Sequence, residues 1–257
     1  MDLKEYVFLG KELKDTYVVD VHIHVGGSTR YQKPGNDADS VVYTMDRVGV
    51  DVVCASCSPG AYCDWKWGNE MCADAHEKYP DRIKAYAVVN PHYTFDLDAY
   101  FANSDRFLGL KVIPFVQGTL PIDCPGLQPY YEYADKYGLP VLFHAWMASE
   151  VKDATAVAKR YPNARFIFGH SGFTAFEESV AACKQCDNVL LDTTISDTYD
   201  GALERLVNAV GVDRVAFGTD LTAFECSHIL GRILLSRLSD TDKEKILGLN
   251  AKQFLKL

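Results

Sequence analysis

Two histidines, two residues apart, close the apolar run Val18-Val19-Asp20-Val21-His22-Ile23-His24 near the start of this 257-residue chain. The run reads as a buried strand. Residues of one parity share a face of a strand, so His22, His24 and Asp20 are expected to project together. Two neighbouring imidazoles aimed one way are half of a metal site. A lone histidine in such a run is more often a satisfied core residue, but this one is not alone. His144 closes Val141-Leu142-Phe143, His170 closes Phe166-Ile167-Phe168-Gly169, Asp192 closes Val189-Leu190-Leu191, and Asp220 closes Phe217-Gly218-Thr219. Lys111 sits inside Gly109-Leu110-Lys111-Val112-Ile113. Neutral imidazoles and carboxylates suit a divalent cation such as Zn2+, and a cation with an open position lowers the pKa of its bound water.

The elements that must carry these residues alternate along the chain. Strands are expected at 18–23, 50–56, 83–89, 108–113, 140–143, 165–168, 189–191 and 215–218. Helical patterns fall between them: 39–48 stopped by Gly49, a helix ending near Tyr79-Pro80, then 95–102, 127–137, 153–161, 176–186 and 202–210. A last helix starts near Ser239 and Asp240, which are good N-caps. Eight strands, each followed by a helix or helical loop, imply right-handed crossovers and a parallel sheet. In about 250 residues they fit a single-domain α/β (β/α)8 TIM barrel over residues 1–257, where chemistry gathers at the C-terminal strand ends. A doubly wound sheet is the alternative, but Gly26-Gly27 lack the GxGxxG spacing.

Composition excludes several function classes. A net charge of -9 argues against a nucleic-acid partner. No apolar run reaches membrane-span length, and the N-terminal segment lacks the apolar core of a signal peptide, so a cytoplasmic chain without a membrane partner is expected. The eight cysteines are expected to be thiols. The Cys54/Cys57 and Cys183/Cys186 pairs lie too far apart for a zinc ribbon. His76 and His228 read as structural, and His92 as a residue that could line the pocket. Tyr62, Trp65, Trp67, Trp146 and Phe173 are expected on loops at the catalytic rim, where they would wall a planar substrate or simply pack.

The His-x-His of the first strand, the single histidines ending strands five and six, and Gly218-Thr219-Asp220 together resemble the amidohydrolase superfamily. Within it they resemble the amidohydrolase-related branch that includes aminocarboxymuconate-semialdehyde and γ-resorcylate decarboxylases. Smaller echoes, such as Met45-Asp46-Arg47-Val48-Gly49-Val50-Asp51 and Val88-Val89-Asn90-Pro91, extend the likeness over most of the chain. The resemblance implies one metal, usually zinc, on His22, His24, His144 and Asp220, with His170 and Asp220 catalytic. Lys111 would remain a plain cation that could face an anionic substrate. The alternatives are another divalent ion, or a carbamylated Lys111 bridging two. Asp20 is expected to hydrogen-bond a ligand, and Asp192 is left without a role.

Two activities share this set: hydrolysis of an amide, lactone or related ester by metal-activated water, and non-oxidative decarboxylation of an unsaturated or aromatic acid. A non-catalytic binding barrel is disfavoured because the metal set is complete. Arg30 and Lys111 could each hold a substrate carboxylate. The chain is short for the decarboxylases, and Leu221-Thr222-Ala223 departs from the family's usual aromatic and proline. The hydrolase is therefore the leading expectation. The partner is a small molecule, with a homo-oligomer compatible.

Overall fold

In the computed structural model, residues 2–27, 35–93, 95–101, 105–170, 175–194 and 199–257 are described. Eight strands run in chain order around a single sheet: β1 (Val19–Val25), β2 (Val52–Cys57), β3 (Ile83–Val88), β4 (Gly109–Val112), β5 (Pro140–His144), β6 (Arg165–Gly169), β7 (Val189–Asp192) and β8 (Val215–Ala216). Every neighbouring pair is parallel. The ring closes where Val21 N donates to Phe217 O at 2.9 Å and Asp220 N to His22 O at 2.8 Å, with Ile23 bridging Leu221. This is the expected single-domain (β/α)8 TIM barrel.

The strands form because their Val, Ile, Leu and Phe residues are covered on both sides, which favours β-branched and aromatic side chains. Outward residues such as Val53, Ala85, Leu110, Phe143, Phe166 and Leu191 join the large core beneath the helices. Inward residues Cys54, Tyr86, Leu142, Ile167, Leu190 and Ala216 fill the lumen, closed by Ala251 and Leu255 of the C-terminal helix. That packed floor leaves only the opposite end, where the histidines sit, open for chemistry.

The helix Ala38–Val48 begins at Asp37, whose carboxylate accepts from Ser40 N at 2.8 Å, and stops before Gly49 as expected. Ser239 caps Asp240–Glu244 through Asp242 N, and the chain continues through a π-helical turn at Lys245–Leu249 into helix Asn250–Leu255. Among the described residues three α-helices escaped the sequence reading: the short Leu3–Phe8, Ser58–Tyr62, and Cys226–Leu234, which follows β8. The expected helix ending near Tyr79 is Trp65–Lys78, capped by Asp64, and it takes in Trp65 and Trp67, which were expected on the loop before it, while Tyr62 ends the helix Ser58–Tyr62. All eight cysteines are thiols, and only Cys63 is exposed.

β1 departs from strict alternation. Its pairing with β2 shifts between Asp20 and Ile23, as in a β-bulge. Val19 and Val21 pack in the lumen, whereas Ile23 and Val25 pack in the outer core. The expectation that Asp20 shares a face with His22 and His24 by parity is therefore corrected. Its carboxylate faces the turn after β8, accepting from the Thr219 hydroxyl and from Thr219 N at 3.1 Å.

Candidate metal centre and active site

The bulge in β1 and the turn after β8 bring His22, His24 and Asp220 together. One ligand atom from each lies within 4.8 Å of the other two. Asp220 Oδ1 is 2.8 Å from His24 Nε2 and 3.7 Å from His22 Nε2. The remaining ring nitrogens are held: His22 Nδ1 lies 2.7 Å from Asp192 Oδ2, and His24 Nδ1 lies 3.0 Å from Ser56 Oγ on β2. Two imidazoles with Nε2 convergent and Nδ1 anchored, beside a carboxylate, fit a divalent cation by donor chemistry and orientation. No other such group occurs among the described residues.

His144 lies outside that trio. Its ring stands edge-on to His170 at 4.5 Å between centroids and tilts against Phe115 at 4.7 Å. His170 in turn stands edge-on to His22 at 5.0 Å and lies 5.3 Å from Trp146. Its Nδ1–H donates to Thr194 O at 3.1 Å, which leaves Nε2 as the acceptor in the neutral ring. His170 and Asp220 both have φ in the left-handed region, +68° and +60°. Non-glycine residues reach that region at a cost of roughly 1–3 kcal/mol, and such strain clusters at functional sites.

Burial governs the electrostatics here. It drives the His22 and His144 imidazoles well below their ordinary pKa and lowers His170 too. Burial, despite the nearby carboxylates of Asp220 and Asp192, pushes the Lys111 amine down to about 8, so at pH 7 it is still mostly an ammonium. Its Nζ lies 2.8 Å from His22 Nε2. Burial would raise the Asp220 carboxyl, but the His24 hydrogen bond and the surrounding imidazoles hold it below the usual carboxylate range. Burial raises Asp192, and it raises Asp20 to about 8.

Other expected residues fall elsewhere. Asp20 Oδ1 accepts from the backbone N of His22 at 3.1 Å, so it holds the ligand's main chain and not its ring. His76 Nδ1–H donates to Ile83 O at 2.7 Å inside the core. His92 is exposed, and its Nε2–H donates to Gln117 O at 2.7 Å. His228 is exposed on helix Cys226–Leu234. Trp65 stacks on Phe95 at 4.7 Å, Trp67 is 56% exposed, and Tyr62 packs beside Phe115 on a small cluster of Ala61, Val88 and Ile113. Of the four rim aromatics among the described residues, Trp146 is the one with a ring contact to the histidine cluster. Arg30 and Phe173 lie outside the described residues.

Sequence reasoning missed Ser56 and Thr194, and left Asp192 without a role. Asp192 carried a signal, since it ends a strand on the rim. A serine and a threonine at strand ends carry none.

Comparison with known proteins bears on this geometry. The Amidohydrolase family model matches residues 19–257. No curated protein matches the chain. Among solved structures, 5-carboxyvanillate decarboxylase from Novosphingobium aromaticivorans, with bound manganese, is similar at TM-score 0.76 and 15% identity, over 96% of this chain and 99% of that one. Dihydroxybenzoic acid decarboxylase from Polaromonas, with manganese and 2-nitroresorcinol, is similar at TM-score 0.73 and 18% identity, over 94% and 97%. 2,6-Dihydroxybenzoate decarboxylase from Rhizobium is similar at TM-score 0.72 and 17% identity, over 94% and 99%. A match to the family model over residues 19–257, nearly the whole chain, places this protein in the amidohydrolase family.

Proposed function

We propose that this protein is a metal-dependent, non-oxidative decarboxylase of an aromatic carboxylic acid. The observation that carries the reading is the position of Lys111, buried with its Nζ 2.8 Å from His22 Nε2, beside the one three-donor group among the described residues. A cation fixed next to the metal donors suits a substrate that is itself a carboxylate. A neutral ester or amide adds no countercharge to the Asp220 and Asp192 carboxylates already near that amine. Phe115 and Trp146, against His144 and His170, offer flat apolar surface for a ring. The decarboxylase neighbours support the same choice over the hydrolase.

His22, His24 and Asp220 would hold the divalent ion, with His144 the candidate fourth ligand because its ring adjoins His170. When bound, the ion would bind substrate oxygens and stabilise developing negative charge. The protein's own groups supply the rest. Lys111 holds the substrate anion, and the aromatic side chains orient the ring and exclude water. As the C–C bond breaks, its electron pair stays on the ring carbon and CO2 leaves. That carbon takes one proton, so carboxylate plus proton gives arene plus CO2. The proton comes from solvent, and His170 Nε2, an acceptor in the neutral ring, and the Asp220 carboxylate are the groups that can take it up and pass it to that carbon.

The test is to incubate metal-loaded protein in D2O with a panel of hydroxybenzoates, alongside lactones and amides. The expected result is CO2 release and an arene carrying one deuterium at the vacated carbon. Lactone or amide hydrolysis without CO2 would restore the hydrolase reading. Elemental analysis is expected to find about one divalent ion per chain. Two ions would make Lys111 a bridging carbamate.

A further inference from the structure

We propose that Asp192 is a positioning residue that locks His22 in the tautomer a metal requires and fixes His170 through the same carboxylate. The inference rests on the metal site of the preceding section, but on neither substrate class.

Asp192 is fully buried at the end of β7. Its Oδ2 lies 2.7 Å from His22 Nδ1. Its Oδ1 accepts from His170 N at 2.9 Å and Thr194 N at 3.1 Å. One carboxylate thus ties a metal donor on β1 to the backbone of the catalytic histidine after β6. The tautomer follows from the Asp192 end of the His22 ring. A carboxylate oxygen accepts, so the Nδ1 that lies 2.7 Å from Asp192 Oδ2 carries the proton of the neutral ring and donates it. An imidazole binds a cation through the lone pair of its unprotonated nitrogen, which here is the Nε2 facing Asp220 and His24.

The strands on either side leave room for this pair. A Cβ on Gly169 of β6 would lie 2.8 Å from His22 Cε1 and 3.0 Å from Nδ1. A Cβ on Gly218, after β8, would lie 3.1 Å from Asp192 Cβ and 2.6 Å from Thr194 Oγ1. A side chain at Gly169 would meet the Phe143 carbonyl and the His22 ring, and one at Gly218 would meet the Thr194 hydroxyl first and crowd Asp192.

The decisive variant is Asp192→Asn, which preserves size. Its amide oxygen can keep the two backbone N–H groups, so its NH2 must face His22 Nδ1. An amide NH2 donates, which forces Nδ1 to accept and moves the ring proton to Nε2. The readouts are the His22 tautomer by 15N NMR at pH 7, assigned by the signal lost in His22→Gln, and Mn2+ and Zn2+ affinity by competition titration. The native chain is expected to show Nδ1–H. Asp192→Asn is expected to show Nε2–H and to bind either ion about 10–100-fold more weakly. Purely structural damage would lower stability without moving the ring proton.

If the variant does not fold, the native spectrum alone decides, because Nε2–H there overturns the lock. Native affinity in Asp192→Asn overturns it equally. A native chain that shows Nδ1–H but takes up no ion upholds the lock and refutes the metal reading.

Discussion

Changing His22 and His24 together to alanine is expected to abolish metal binding and cut turnover by at least about 10^3-fold, a loss of several kcal/mol of charge stabilisation. The two rings supply both convergent nitrogens of the three-donor group, and Asp220 alone is a weak single-point site. The barrel is expected to survive. β1 keeps its ladder to β2 and its bonds to the turn after β8, all of which are backbone interactions. The cost falls on the groups left behind, since the Asp192 carboxylate and Lys111 ammonium lose the ring between them. A loss of roughly 3–5 kcal/mol is the usual scale for a broken buried polar network, so circular dichroism should show a folded protein with a lowered Tm. Retained stoichiometric metal in the folded variant would sink the assignment.

The second large effect is expected at His170. His170→Asn should keep near-native metal content and lose about 10^2–10^4-fold in kcat, the range of a single general acid–base group. Asparagine is the informative replacement because the position has φ +68°, and asparagine tolerates the left-handed region better than most residues. The backbone N–H that donates to Asp192 is retained as well. Only the ring is removed, together with its Nδ1–H to Thr194 O. Near-native kcat with metal bound would show that the imidazole serves the fold alone.

Much of this was legible in the chain. Alternating apolar runs and helical patterns announced the barrel, because a parallel strand buried on both faces leaves a continuous Val/Ile/Leu/Phe signature. Metal-compatible residues at the ends of those runs announced the rim. The expected aromatic loop failed at Trp65 and Trp67. There, the 14-residue helix Trp65–Lys78, capped by Asp64, begins only three residues after a five-residue helix ends at Tyr62, and so short a first helix leaves little periodicity by which to place the start of the second. Asp20 failed because one extra residue in β1 inverts the alternation from which its face was inferred.

The sequence by itself determined the fold class, the family likeness and the identities of His22, His24, His144, His170 and Asp220, since these are local facts of residue type and strand position. The tertiary structure alone decided which of them meet. It gathered His22, His24 and Asp220, set His144 on His170, and turned Asp20 towards Thr219. It also gave Ser56 and Asp192 their places behind the two imidazoles. Those choices depend on register shifts and on spacing between strands of up to 199 residues' separation, as in the Asp20–Thr219 pair. No local pattern encodes distances set by the closure of the whole barrel.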